Sequence, residues 1–115
     1  MIPSIDVNSL YPRWLTATEK EEECTIIDVR TPEEYVAGHV PSARLLPLST
    51  IMARGHEVPK EGKVYVICQA GGRSAQAAGF LAQQFGHDNL INVAGGTMAW
   101  TSAGYPVEKG GHHED

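Results

Sequence analysis

At 115 residues the chain is long enough for one domain that buries a core without disulfides or a structural metal, and two domains are not expected. Its composition, 42% hydrophobic and 20% charged, is that of a soluble globular protein, and no apolar run approaches the roughly 18 to 20 residues of a membrane span. The net charge of −5, with nine scattered Lys and Arg, argues against nucleic-acid or acidic-membrane partners, so an anionic substrate would need a local binding site.

The opening residues, MIPSIDVNSL, lack the basic segment and apolar core of a secretory signal, and a cytoplasmic location is the expectation. Ile2 to Val7 reads as a short strand. A helix capped at Asn8 or Ser9 should follow, with Pro12 in its first turn and an apolar stripe of Leu10, Trp14 and Leu15. Thr18 to Glu23 reads as a solvated connection. Cys24 to Val29 is short, apolar and β-branched, as a buried parallel strand should be. Thr31, Pro32 and Glu34 compose a capping box with proline at the first helical position, opening a short helix to Ala37 that Gly38 ends.

His39 to Ser42 is then a loop and Ala43 to Leu46 a second buried strand. A short helix over Leu48 to Ala53 precedes a polar turn, Gly55 to Gly62. Val64 to Cys68 is another strand, and Ser74 to Phe85 a helix with Ala77, Phe80, Leu81 and Phe85 on one face and Gly86 as its stop. Asn89 to Val93 is the last strand, turning through Gly95-Gly96 into a helix over Thr97 to Ala103. This alternation implies an α/β domain: a mostly parallel central sheet of about five strands with helices on both faces, covering residues 1–107. Residues 108–115, ending GGHHED, read as a polar, disordered tail.

Ligands of such a sheet bind beyond the carboxyl ends of its strands, where loops run into helix N-termini. Cys68 falls at that edge, and only Gln69, Ala70, Gly71 and Gly72 separate it from Arg73 and Ser74. The loop amides can curl around the sulfur, the two glycines can take positive φ, and a helix N-terminus with a neighbouring cation lowers a thiol pKa from about 8.5 into the range of roughly 3.5 to 7.5. Arg73 can either hold an oxyanion at two points or close the loop through backbone carbonyls. Cys24, with none of this context, reads as structural. Cys24 and Cys68 lack CxxC or zinc-like spacing and should be reduced thiols, and no metal or other cofactor is expected.

IIDVRTPEEYVAGHVPSA at Ile26 to Ala43, CQAGGRS at Cys68 to Ser74, and NVAGGTMAW followed by GYPV together resemble a single-domain rhodanese, a sulfurtransferase family, over essentially the whole chain. The resemblance implies a thiosulfate sulfurtransferase in which Cys68 takes a sulfane sulfur from a small anionic donor, becomes a persulfide, and passes the sulfur to cyanide or a thiol, a protein thiol included. The loop amides and Arg73 would bind the substrate, and Asp28 and Arg30, matching the family's Asp-Val-Arg segment, would support the site. Glu34 is better explained by capping, and His39 by local packing.

The rival enzyme reading is a phosphatase or arsenate reductase of the Cys-loop-Arg kind. It is disfavoured because those enzymes place five residues between Cys and Arg, and because no Asp stands in the loop as a general acid. The rival of another class is a noncatalytic protein-binding module, disfavoured by the retained Cys68, Gly71, Gly72 and Arg73. A monomer is the default.

Overall fold

The computed structural model describes residues 1–111 and has five strands and five α-helices in alternation. Strands β1 (Ser4–Asp6), β2 (Thr25–Asp28), β3 (Arg44–Leu45), β4 (Val64–Ile67) and β5 (Leu90–Ala94) form one sheet in the order β1-β5-β4-β2-β3. Every neighbouring pair is parallel. The helices are α1 (Val7–Lys20), α2 (Pro32–Ala37), α3 (Ile51–Arg54), α4 (Gly72–Phe80) and α5 (Gly96–Ser102).

Side chains alternate between the two sheet faces, as the two-residue period of a strand requires. Ile26, Tyr65, Ile67 and Val93 pack with Leu10 and Trp14 of α1, Tyr35 of α2 and Trp100 of α5. Ile27, Val64, Val66 and Cys68 pack on the other face with Ile51 of α3 and Ala77 and Ala78 of α4. Trp100 is fully buried, meets Trp14 edge-on at 5.6 Å, and donates its indole N–H to the Pro106 carbonyl. Met98, two residues before it, is exposed.

Several boundaries differ from the sequence expectations. The first helix is capped by Asp6, whose carboxylate accepts the Ser9 N–H at 2.8 Å, and not by Asn8 or Ser9. It runs through the expected connection to Lys20 with Pro12 inside it, because the buried stripe of Val7, Leu10, Trp14 and Ala17 outweighs the hydrogen bond that proline forgoes. The segment Ala43 to Leu46 yields only an edge strand with Arg44 exposed. The fourth helix opens at Gly72 and ends in a π-turn over Leu81–Phe85 before Gly86, at φ 79.

The capping box is formed: Thr31 Oγ1 accepts the Glu34 N–H, and Glu34 Oε1 accepts the Thr31 N–H. Glu108 exchanges two backbone hydrogen bonds with His39, and the Gly110 N–H reaches the Val36 carbonyl, so the start of the expected tail is tied to α2. His112 and His113 lie outside the described residues. Among the described residues, no helix is long and apolar enough to cross a membrane.

Candidate active site

Cys68 follows the last residue of β4, at the carboxyl edge of a central strand, and is 1% exposed. Its sulfur accepts the Gly71 N–H at 3.1 Å and lies 3.3 Å from Ser74 Oγ. Gly71 makes this possible: it caps α4 at φ 109, turning its amide inward, and an added Cβ would meet the Gly95 nitrogen at 3.3 Å. Gly72 has no positive φ and open space around it, so one glycine of the pair shapes the cradle and the other opens the helix.

Burial raises the Cys68 thiol pKa. The Ser74 hydroxyl and the amides of Ser74, Gly71 and Ala70 outweigh it, and the net displacement is downward. The donors are the loop amides and the first turn of α4, which Gly71 caps, and no cation stands among the leading causes. Cys24, at the opposite end of β2, is free and half-buried; burial pushes its thiol up, against a smaller opposing pull from Arg13.

Arg73 does not stand unengaged over the sulfur. Its Nη1 and Nη2 each lie 2.8 Å from a different oxygen of Glu34, a two-point grip across the mouth of the loop. This grip is the main reason that the Glu34 carboxyl is held down to about 2; burial opposes it, and the Thr31 hydrogen bonds add to it. The capping reading of Glu34 was therefore incomplete: one carboxylate closes α2 and fixes Arg73.

Asp28 and Arg30 are both buried and paired, Nε to Oδ1 and Nη2 to Oδ2 each at 3.0 Å. Arg30 extends from there to the Gly38 carbonyl at 2.8 Å and to Gln69 Oε1 at 3.1 Å. Asp28 thus reaches the loop through Arg30 rather than by bonding loop backbone. The Gln69 side chain is turned towards Arg30.

Two contributors were missed in the sequence. Gly96, at φ +61, sits so close under the loop that an added Cβ would lie 2.6 Å from the carbonyl carbon and oxygen of Gln69. This approach lets the Thr97 and Met98 amides bond the carbonyls of Cys68 and Gln69, at 2.8 and 3.0 Å. The second is Asn92 of β5, buried, with Oδ1 2.5 Å from Ser74 Oγ. The one polar residue in Leu90–Ala94 could have drawn attention to it, since a buried amide is retained only where it is bonded. His39 stacks on Tyr35 and faces Glu108, away from this chemistry. Among the described residues, no three His, Cys, Asp or Glu side chains are grouped to hold a metal.

A groove of about 710 Å³ borders the loop, walled by Arg30, Glu34, Gln69, Met98, Val107 and Lys109 among others. Reagents approaching the loop from the α2 and α5 side meet mixed apolar and charged surface there.

Residues 11–103 match the family described as the rhodanese-like domain. A sulfurtransferase of Allochromatium vinosum is 39% identical over 107 residues, covering 93% of this chain and 95% of that protein. A crystal structure of a rhodanese-related protein from Thermoplasma volcanium superposes with a TM-score of 0.79 at 34% identity, over 92% of this chain and 97% of the other. A rhodanese-like domain protein from Staphylococcus aureus gives 0.77 at 30% identity, over 96% and 100%. With fold, loop position and near full-length similarity in agreement, the chain belongs to the rhodanese-like domain family.

Proposed function

We propose that the protein is a sulfurtransferase that carries a sulfane sulfur on Cys68, from thiosulfate or another persulfide donor to cyanide or a thiol. The observation that carries this reading is the Cys68 sulfur set among inward-facing amides and a hydroxyl, with its thiol pKa displaced downward. The sulfurtransferase of Allochromatium vinosum, similar along nearly its whole length, supports it.

The Cys68 thiolate attacks the outer sulfur of thiosulfate. A new S–S bond forms as the old one breaks, sulfite leaves with the bonding pair, and Cys68 becomes a persulfide. Cyanide or a thiolate then attacks the outer sulfur, departs as thiocyanate or a persulfide, and returns the electron pair to Cys68. Each half-reaction releases its product before the next begins, so ping-pong kinetics follow. The cradle of Ala70, Gly71 and Ser74 stabilises negative charge on sulfur at the start and end of each half-reaction.

The phosphatase reading is weakened further by Arg73, which commits two of its five N–H donors to Glu34. Intact-mass measurement after incubation with thiosulfate tests the proposal. Wild type gains the mass of one sulfur, cyanide or a thiol removes it, and Cys68→Ser gains nothing. Loss of the adduct in Cys24→Ser but not in Cys68→Ser would overturn the assignment, as would aryl phosphate hydrolysis without sulfur uptake.

A further inference from the structure

Asn92 lies beneath the first turn of α4, 8% exposed, on a strand otherwise made of Leu, Ile, Val and Ala. Its amide orientation follows from its partners. Nδ2 is 3.4 Å from the Gly71 carbonyl, which can only accept, so Oδ1 faces Ser74 Oγ at 2.5 Å. Two oxygens that close need a proton between them, and the Ser74 hydroxyl is the one that has a proton to give.

That hydroxyl has one proton and three acceptors within reach: Asn92 Oδ1, the Gly71 carbonyl at 3.3 Å and the Cys68 sulfur at 3.3 Å. While Cys68 is a thiol there is no conflict, because S–H donates to Ser74 Oγ and Ser74 O–H to Asn92. Once Cys68 is a thiolate, no proton remains between sulfur and Oγ unless the hydroxyl turns away from Asn92. Turning leaves Oδ1 and Oγ facing each other with lone pairs, and the amide cannot flip to relieve this without opposing its own oxygen to the Gly71 carbonyl.

We propose that Asn92 is a positioning residue of the sulfur-transfer site, competing with the Cys68 sulfur for the single hydroxyl proton of Ser74. The thiolate then shares the hydroxyl with Asn92 instead of receiving it in full, which leaves the sulfur less neutralised and more nucleophilic than undivided donation would. The proposal rests on Cys68 being the reactive thiol. The charged groups around the sulfur are Arg73 on α4, Glu34 on α2 that grips it, and the Asp28–Arg30 pair at the end of β2. Strand β5, helix α5 and the turn over Leu48–Thr50 bring no titratable side chain.

The test is the pH profile of Cys68 alkylation by iodoacetamide, read by mass in a Cys24→Ser background. Asn92→Leu keeps the branched shape without the acceptor and frees the hydroxyl for sulfur. Its profile should move to lower pH by about one unit, a tenfold gain in thiolate, from one added hydrogen bond to a charged group. In Ser74→Ala the same Asn92→Leu change should move nothing. Should Asn92→Leu fail to fold, Asn92→Asp, equal in size and a stronger acceptor, serves instead: it should move the profile to higher pH, and by more with Ser74 present than with Ser74→Ala.

An unmoved profile in Asn92→Leu, or equal shifts with and without Ser74, would overturn the proposal. Alkylation needs no sulfur donor. Normal Ser74-dependent shifts in a protein that never takes sulfur from thiosulfate would therefore sink the proposed function and leave the role of Asn92 standing.

Discussion

Arg73 and Glu34, 39 residues apart, are joined at two points of 2.8 Å each, and this pair ties the cysteine loop to the helix on the other side of its mouth. An arginine so engaged commits two of its five N–H donors to shaping the loop. Arg73→Gln and Glu34→Gln should therefore lower kcat/KM for thiosulfate in parallel, and the double variant should be no worse than either single one. Glutamine at position 34 still serves the capping box, which isolates the effect of the pair. If Arg73→Gln raised KM strongly while Glu34→Gln left it unchanged, direct substrate contact by Arg73 would be the better account.

The same pair sets a pH dependence. Glu34 is held down to about 2 in the folded protein, chiefly by Arg73, against an ordinary value of 4.5. A depressed carboxylate pKa contributes stability that is fully present above the unfolded-state value and is lost as the pH falls through the folded one. The window is therefore pH 4.5 down to about 2. Both side chains are about one-third exposed, so the contribution should be no more than about 1 kcal/mol and should shrink with salt. Urea unfolding should show Glu34→Gln less stable than wild type near neutrality and equal to it near pH 2. A gap that persists in acid would mean that the pair is not its source.

Gly96 and Gly72 should respond oppositely to alanine. At Gly96 a Cβ would strike the backbone of Gln69 at φ +61, so Gly96→Ala should lose about 2 kcal/mol or more and displace the loop carbonyls of Cys68 and Gln69. At Gly72 nothing lies within 4 Å, and Gly72→Ala should be neutral or stabilising by up to about 1 kcal/mol through the unfolded state. Denaturant midpoints decide it, and a Gly72→Ala loss as large as that of Gly96→Ala would contradict this division.

What could be read in advance follows the range of the interactions. Thr31, Pro32 and Glu34 announce their helix because capping is settled within four residues, and Val64 to Cys68 announces its strand by an unbroken apolar run. The start of α1 was misread because Pro12 argues locally for a cap close before it, a signal overruled by packing against a distant sheet, and its end because the charged run from Thr18 reads as a connection. Cys68 and Gly71 were legible because loop, glycine and helix start are contiguous. The grip of Arg73 on Glu34, the approach of Gly96 to Gln69 and the bond of Asn92 to Ser74 were not, since each joins segments 18 or more residues apart whose meeting depends on the strand order.

Arg30 offers a test of how far support for the loop depends on a buried charge. Asp28 is fully buried and its partner Arg30 is 3% exposed. Arg30→Met would leave an unpaired buried carboxylate, a loss of about 3 to 5 kcal/mol in comparable cases. Arg30→Lys keeps the charge but cannot reach Asp28, Gly38 and Gln69 together, so it should retain more of the stability while still slowing the loading of sulfur from thiosulfate. If Arg30→Lys matched wild type in loading rate, the tether from Arg30 to Gln69 would be irrelevant to the site.

The two thiols should separate by chemistry rather than by exposure. Cys24 is the more exposed, yet burial pushes its pKa up, whereas Cys68 is nearly enclosed and its pKa is displaced downward by the Ser74 and loop-amide hydrogen bonds despite burial. Thiolate, not thiol, is the nucleophile, so at neutral pH a small reagent such as iodoacetamide should label Cys68 first. Ser74→Ala removes a donor to the sulfur and should move the Cys68 profile to higher pH, with Cys24 unchanged. A bulky maleimide should reverse the preference, because access then governs. Peptide mapping of partly labelled protein reads both orders, and faster labelling of Cys24 by the small reagent would mean that the loop does not activate its cysteine.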